Sequence, residues 1–238
     1  MDVPDIVLEL ARGRDVRVVW ENELGGRTYA FDDCYVKWSP HDLAHERSRM
    51  EWARAFIRVP RVLDSGPGWL MTAAIPGTNA VADRWCRDPE RAVAAIGSGL
   101  RALHDALPVE TCPFSWSVEE RLGRIRVDEG RWHDDHRHLD RVAALRIVRD
   151  PPPIDRLVVC HGDACAPNTI VDDDGTFCGH VDLGALGVAD RWADLAVATW
   201  SCDWNYGPGW QEALLAAYGV EPDGVRMAYY RLLWDLGP

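Results

Sequence analysis

Between Arg156 and Asp182 the chain reads RLVVCHGDACAPNTIVDDDGTFCGHVD, and this stretch constrains the fold more than any other. The apolar run RLVVC has the composition of a short strand and stops at Cys160. TIVD and FCGHVD are two further strands, and the DDDG turn between them makes them a hairpin. His161, Gly162, Asp163 and Asn168 fall in the loop that feeds this hairpin, and Asp182 and Gly184 fall where it ends. Two carboxylates and one amide are thereby gathered by strands lying side by side. Such a set suits a divalent metal held between Asn168 and Asp182, with Asp163 left to orient a hydroxyl. An isolated HGD says little, whereas HGDxxxxN followed by DxG, with a lysine and a glutamate upstream, is a specific pattern.

That lysine stands out by composition. Of 26 basic residues 25 are arginine, and Lys37 is the single lysine in 238 residues. A coding bias toward arginine would leave a stray lysine by chance, so its surroundings decide its meaning. VRVVW, LGGRTYAF and CYVKW read as three strands of a meander, with Gly25 and Gly26 at one turn, Asp32 and Asp33 at the next, and Lys37 on the third strand. A helix then starts near Ser39 and Pro40, with Leu43, Met50, Ala53 and Ile57 on one face. Glu46 lies inside that apolar stripe, where a carboxylate is costly unless paired, and Lys37 on the facing strand is a fitting partner. Two alternatives stay open: Glu46 snorkels at the edge of the stripe, or Glu51 is the partner.

After GWLMTAAIPG, a strand running into Pro76-Gly77, the character of the chain changes, which sets a boundary between a β-rich lobe (1–75) and a second lobe (76–238). DPERAVAAIGSGLRALHDAL reads as a helix capped by Asp88 with Pro89 at its first position and Val93, Ile96, Leu100, Leu103 and Leu107 along one face; His104 reads as a packing or hydrogen-bonding residue. RWHDDHRHLD could be mistaken for a metal tract, but it has no ligand spacing and suits a solvated loop or helix. The expected class is therefore α+β.

A net charge of -12 argues against a nucleic-acid surface and favours a cationic small molecule. No apolar stretch reaches the roughly 18 to 20 residues of a membrane span, and MDVPDIVLEL lacks the basic and apolar regions of a leader, so the expected location is cytoplasmic with no membrane partner. Seven cysteines without a CxxC pair suggest free thiols. The expected assembly is a monomer or weak dimer.

HGDACAPNTIV followed by GHVDLGALGVADRWADLAVATW resembles the aminoglycoside phosphotransferases, particularly their 3'-phosphotransferase branch. The likeness runs from about residue 20 to 236 and keeps the family's order: glycine turn, strand lysine, helix glutamate, Pro-Gly hinge, LRALHD, catalytic loop, metal loop and a closing YYRLLWDL. The resemblance implies a bilobal protein-kinase-like fold that moves the γ-phosphate of ATP or GTP, with Mg²⁺, to a hydroxyl of an aminoglycoside antibiotic and so confers resistance. Carried over, Asp163 resembles the catalytic aspartate and His161 a brace of its loop. Asn168 and Asp182 resemble the Mg²⁺ ligands, Lys37 the residue on the α/β-phosphates and Glu46 its partner. Gly25, Gly26, Arg27 and Thr28 fall in the turn over the phosphates, and the backbone of Thr72, Ala73 and Ala74 falls where adenine is met.

Departures from the family gather on the acceptor side. Ala185 and Trp200 stand where arginines are common, Ala166 where an acid is common, and the chain closes on Trp234-Asp235-Leu236-Gly237-Pro238 in place of paired acids and aromatics. Asp134, Asp135, Asp203 and Asp235 are candidates for ammonium contacts, and Trp200 and Trp234 for stacking or cation–π contact, or else for ordinary packing. Two other readings remain: a kinase of this fold acting on another hydroxylated amine or a cationic peptide antibiotic, and a catalytically silent protein that binds nucleotide or a partner.

Overall fold

The strand composition and turn residues of the first lobe produce an antiparallel sheet. In the computed structural model, which describes residues 3–21, 25–125 and 132–237, the chain divides into two compact units, Met1–Pro76 and Gly77–Pro238. The start of the glycine turn at 22–24 and the arginine that opens RWHDDHRHLD lie outside the described residues.

The first unit holds α1 (Asp5–Ala11), β1 (Arg17–Glu21), β2 (Arg27–Phe31), β3 (Cys34–Trp38), α2 (Ala44–Ala53), β4 (Val62–Gly66) and β5 (Trp69–Ala73). The strands form one sheet in the order β1-β2-β3-β5-β4, antiparallel throughout. Val7 and Ala11 of α1 pack with Tyr29, Phe31 and Val36 into its core. That helix went unread in the sequence, because Asp5, Glu9 and the closing Arg12-Gly13 break a short apolar pattern. The α2 helix is shorter than its stripe suggested. The Ser39 amide instead donates to Gly68 O at 2.8 Å, and the helix begins only where Asp42 Oδ1 accepts from the Ala44 amide at 2.9 Å. It ends at Ala53, and tight turns carry the chain through Ile57 toward Pro60.

The second unit begins with β6 (Thr78–Asn79), α3 (Asp83–Cys86) and α4 (Pro89–Ala106), continues with α5 (Val118–Arg124), α6 (Arg141–Val148), β7 (Leu157–Cys160), β8 (Thr169–Val171), β9 (Phe177–His180) and β10 (Gly187–Asp190), and ends in α7 (Trp192–Tyr206), α8 (Gln211–Tyr218) and α9 (Gly224–Asp235). Its core is helical: α4 packs on α8 and α7 on α9. Gly97 permits the first contact, since a Cβ there would sit 2.5 Å from Leu214 O. Asp88 stands at the N-cap of α4 but makes no side-chain capping bond; its carboxylate faces Arg91 at 3.5 Å. The hairpin is β8-β9, with β6 along its other edge, while β7 pairs with β10 in a separate two-stranded ribbon. The catalytic-loop candidate thus links two small sheets rather than strands of one.

Candidate active site

The loop between β7 and β8 is fixed by a carboxylate that arrives from another element. Asp194, fully buried on the first turns of α7, accepts from the His161 amide at 2.6 Å and the Gly162 amide at 2.9 Å, and meets His104 Nε2 at 3.0 Å. His104 Nδ1 in turn meets the Tyr218 hydroxyl at 2.8 Å, which ties α4 and α8 to the same point. Burial disfavours the Asp194 anion, yet the hydrogen bond with His104, the electrostatic interaction with the His104 and His161 rings and the Gly162 amide outweigh it and hold the carboxyl below its usual range. Gly162 takes φ 85°, and a Cβ there would lie 2.2 Å from Ala185 O, so only glycine passes.

His161 faces the hairpin. Its Nε2 lies 2.9 Å from Val181 O and its Nδ1 3.3 Å from the Asp163 amide, a pattern that puts the ring proton on Nε2 and makes Nδ1 the acceptor. The ring therefore bridges the loop to the residue before Asp182. Asn168 Nδ2 donates to Asp163 O at 2.9 Å and to Asp163 Oδ2 at 3.2 Å, which turns its amide oxygen away as a donor for a cation. The Val181 amide donates to Asn168 O at 3.0 Å and Thr169 pairs with His180, so the register sets Asp182 beside Asn168. Asp182 adopts φ 60°, a left-handed conformation uncommon for a residue with a side chain and frequent at functional sites. An amide oxygen and a carboxylate are hard donors, and they fit Mg²⁺.

A second polar group, His104, Cys160 and Asp194, has its ligand atoms within reach of one another. All three are buried, and Asp194 is occupied by the hydrogen bonds above; burial and the Asp194 and Asp190 charges push the Cys160 thiol well up. This group is scaffold, and its soft and nitrogen donors do not suit Mg²⁺.

In the first unit Lys37 Nζ lies 2.7 Å from Glu46 Oε2, and Glu46, in the first turn of α2, is 4 % exposed. Glu51 instead pairs with Arg47 on the surface. The β2-β3 register sets Thr28 opposite Lys37 and Arg27 opposite Trp38, next to Gly25 and Gly26. The Ala73 amide donates to Arg61 O and the Ala74 amide to Asp33 O, both within this unit, so these two N–H groups are not available to a base; Thr72 is buried in β5.

The acceptor-side candidates separate by what they touch. Asp134 is exposed and paired with Arg137 at 2.7 Å. Asp135 Oδ2 accepts from Trp200 Nε1 at 2.9 Å. Trp200 is 2 % exposed, packed by His133 at 4.2 Å and Trp204 at 5.0 Å between ring centroids, with the Arg231 guanidinium over its ring. Trp234 is half-buried, 5.6 Å from Trp204. Asp235 is buried: both oxygens accept from the His133 amide and Oδ2 meets His136 Nδ1 at 2.7 Å. Asp203 Oδ2 accepts from Gln211, and its buried Oδ1 has no protein partner. Trp204, 41 % exposed beside Trp200 and Trp234, is the aromatic open to solvent here, and no spacing rule singled it out.

A β-rich unit with a strand lysine held by a helix glutamate, and a helical unit with an HGD loop feeding an Asn-to-Asp hairpin, define a phosphotransferase of protein-kinase-like fold. The profile of the phosphotransferase enzyme family matches residues 6–230, and the chain belongs to that family, in its aminoglycoside 3'-phosphotransferase branch. It is 38 % identical over 216 residues to an aminoglycoside 3'-phosphotransferase of Streptomyces fradiae, covering 82 % of this chain and 80 % of that protein. It is similar to the crystal structure of an aminoglycoside-3'-phosphotransferase of type VIII, with TM-score 0.79, 30 % identity and 98 % of each chain covered. It is also similar to an aminoglycoside phosphotransferase of Streptomyces rimosus solved with ADP and streptomycin, with TM-score 0.74, 29 % identity and 98 % and 97 % coverage. Among the described residues no helix is long and apolar enough to cross a membrane.

Proposed function

We propose that this chain transfers the γ-phosphoryl group of ATP or GTP to a hydroxyl of an aminoglycoside antibiotic, the 3'-hydroxyl, and so confers resistance. The observation that carries this reading is the Asp163–Asn168–Asp182 set: one amide orients the carboxylate with its nitrogen and offers its oxygen beside a second carboxylate. Asp163 accepts the hydrogen bond of the acceptor hydroxyl and takes its proton. Asn168 and Asp182 hold Mg²⁺, which when bound neutralises charge on the phosphates. Lys37, kept in place by Glu46, contacts the phosphates as a compact cation. His161 and Asp194 touch no reactant; they hold the loop backbone from two sides. The names of the relatives supply the acceptor class.

The test is a nucleoside-diphosphate release assay across aminoglycosides, cationic peptide antibiotics, macrolides and simple amino alcohols, with the product position read by NMR. Turnover of kanamycin- or neomycin-like compounds at the 3'-hydroxyl is expected. Turnover confined to another class overturns the acceptor and keeps the transfer; that second reading gains weight from Trp200 and Asp235, which are engaged within the protein. Failure to bind either nucleotide with Mg²⁺ overturns both. Asp163→Asn is expected to keep nucleotide affinity and lose about a hundredfold or more in kcat, the loss of a positioned proton acceptor. Asp182→Ala is expected to weaken Mg²⁺-dependent nucleotide binding, read by titration.

A further inference from the structure

Asp163 has a second, closer constraint than Asn168. Cys165, at the N-cap of the turn that carries Asn168, directs its thiol at Asp163 Oδ1, 3.1 Å away, while Asn168 Nδ2 serves Oδ2 at 3.2 Å. The two carboxylate oxygens are thus held by different donors, one from each side. The backbone beside the thiol is itself held. Ser201, buried on α7, accepts at its Oγ from the Ala166 amide at 2.9 Å and from Asn205 Nδ2 at 3.2 Å, which anchors the residue next to Cys165.

The polarity of the contact follows from counting protons: a thiol has a single proton to give and a carboxylate only accepts, so the Cys165 thiol donates to Asp163 Oδ1. Burial and the adjacent Asp163 charge push the Cys165 thiol well above its ordinary value, so it stays protonated and is a poor nucleophile. Its chemistry here is donation, and α7, already the source of Asp194, supplies a second fixing point for the loop.

We infer that Cys165 is a positioning residue of phosphoryl transfer: its thiol donates to Asp163 Oδ1 and fixes the rotation of the carboxylate toward the acceptor hydroxyl. This rests on the reading of Asp163 given above. A misrotated carboxylate still permits binding of both substrates but seldom meets the hydroxyl, so the effect belongs in kcat.

The experiment compares Cys165→Ala, Cys165→Ser, Ser201→Ala and the Cys165→Ala/Ser201→Ala double variant in the full chain, with MgATP and kanamycin, alongside Asp163→Asn and thermal melts. If kanamycin is not turned over, Mg²⁺-dependent release of phosphate from ATP to water is the rate read instead. Cys165→Ala is expected to lose about tenfold in kcat, the scale of one hydrogen bond to a charged group, with both KM values within about twofold of wild type. Cys165→Ser, which restores a donor, is expected to recover most of the rate. Ser201→Ala, which strands the Ala166 amide but leaves the thiol in place, is expected to lose less than Cys165→Ala, and the double variant to lose at least as much as Cys165→Ala alone. Wild-type kcat in Cys165→Ala, equal loss in the serine and alanine variants, or a change confined to KM overturns the inference. An inactive Asp163→Asn beside a fully active Cys165→Ala sinks this inference alone, whereas a fully active Asp163→Asn sinks the reading of Asp163 and this inference with it.

Discussion

Lys37 shows what one side chain of the right type is worth. Every other basic residue of the chain is arginine, whereas the one lysine sets a compact ammonium against Glu46, a carboxylate only 4 % exposed, and a wide planar guanidinium does not reproduce that contact. Lys37→Arg is therefore expected to lower kcat/KM by about a hundredfold or more, the scale of losing a positioned phosphate contact, and Glu46→Gln to cause a milder loss of the same kind, both read by steady-state kinetics. An arginine variant with wild-type activity would make the lone lysine a product of codon usage. This pair was legible in the sequence because a carboxylate in an apolar stripe demands a partner and only one lysine existed. The acceptor-side residues were far less legible, because aspartate and tryptophan serve packing and loop anchoring as readily as ligand contact. Asp235 is the clear case: its oxygens hold His133 and His136. Asp235→Ala is expected to destabilise the fold by about 2 to 4 kcal/mol in urea denaturation, since it strands a buried amide and imidazole.

At the level of elements, the β7-to-β8 loop is built by what crosses it from α7 and β9. The three-strand reading of residues 156–182 located Asp163, Asn168 and Asp182, because turn residues and β-branched runs are local signals. It did not assign Asp194 or Ser201 a role, nor the pairing of β7 with β10, because these are contacts between distant segments with no local pattern. Gly162→Ala is expected to cost at least about 2 kcal/mol, from a positive φ and a Cβ driven into Ala185 O. Asp194 adds a pH dependence with a defined sign. Its folded pKa lies below the unfolded value, so its contribution is fully present above the ordinary carboxylate pKa and is lost as pH falls through the lower folded value. Asp194→Asn is accordingly expected to be less stable than wild type at neutral pH and to lose stability less steeply in acid, as measured by urea denaturation across pH. Parallel curves would assign the acid sensitivity to other groups.

Over the whole molecule the charge is unevenly divided. Met1–Pro76 carries 10 basic and 12 acidic residues, a net of -2, whereas Gly77–Pro238 carries 16 basic and 26 acidic, a net of -10. The less acidic unit holds the lysine proposed for phosphates, and the strongly acidic unit holds the residues proposed for a polycationic acceptor, so the stronger negative field lies with the ligand of opposite sign. Few of the acceptor-side acids offer an unshared carboxylate, since Asp235 is buried and the exposed Asp134 and Asp135 share theirs with Arg137 and Trp200. Attraction of the acceptor then rests largely on the summed field of the unit, and such a field is screened over about 10 Å at 0.1 M salt. The KM for kanamycin is thus expected to rise severalfold between about 20 and 300 mM salt at fixed Mg²⁺, while the KM for MgATP changes much less. Steady-state kinetics across that range checks both values in one series. A kanamycin KM insensitive to salt would instead place recognition in short-range contact with an aromatic surface, with Trp204 as the ring available for it.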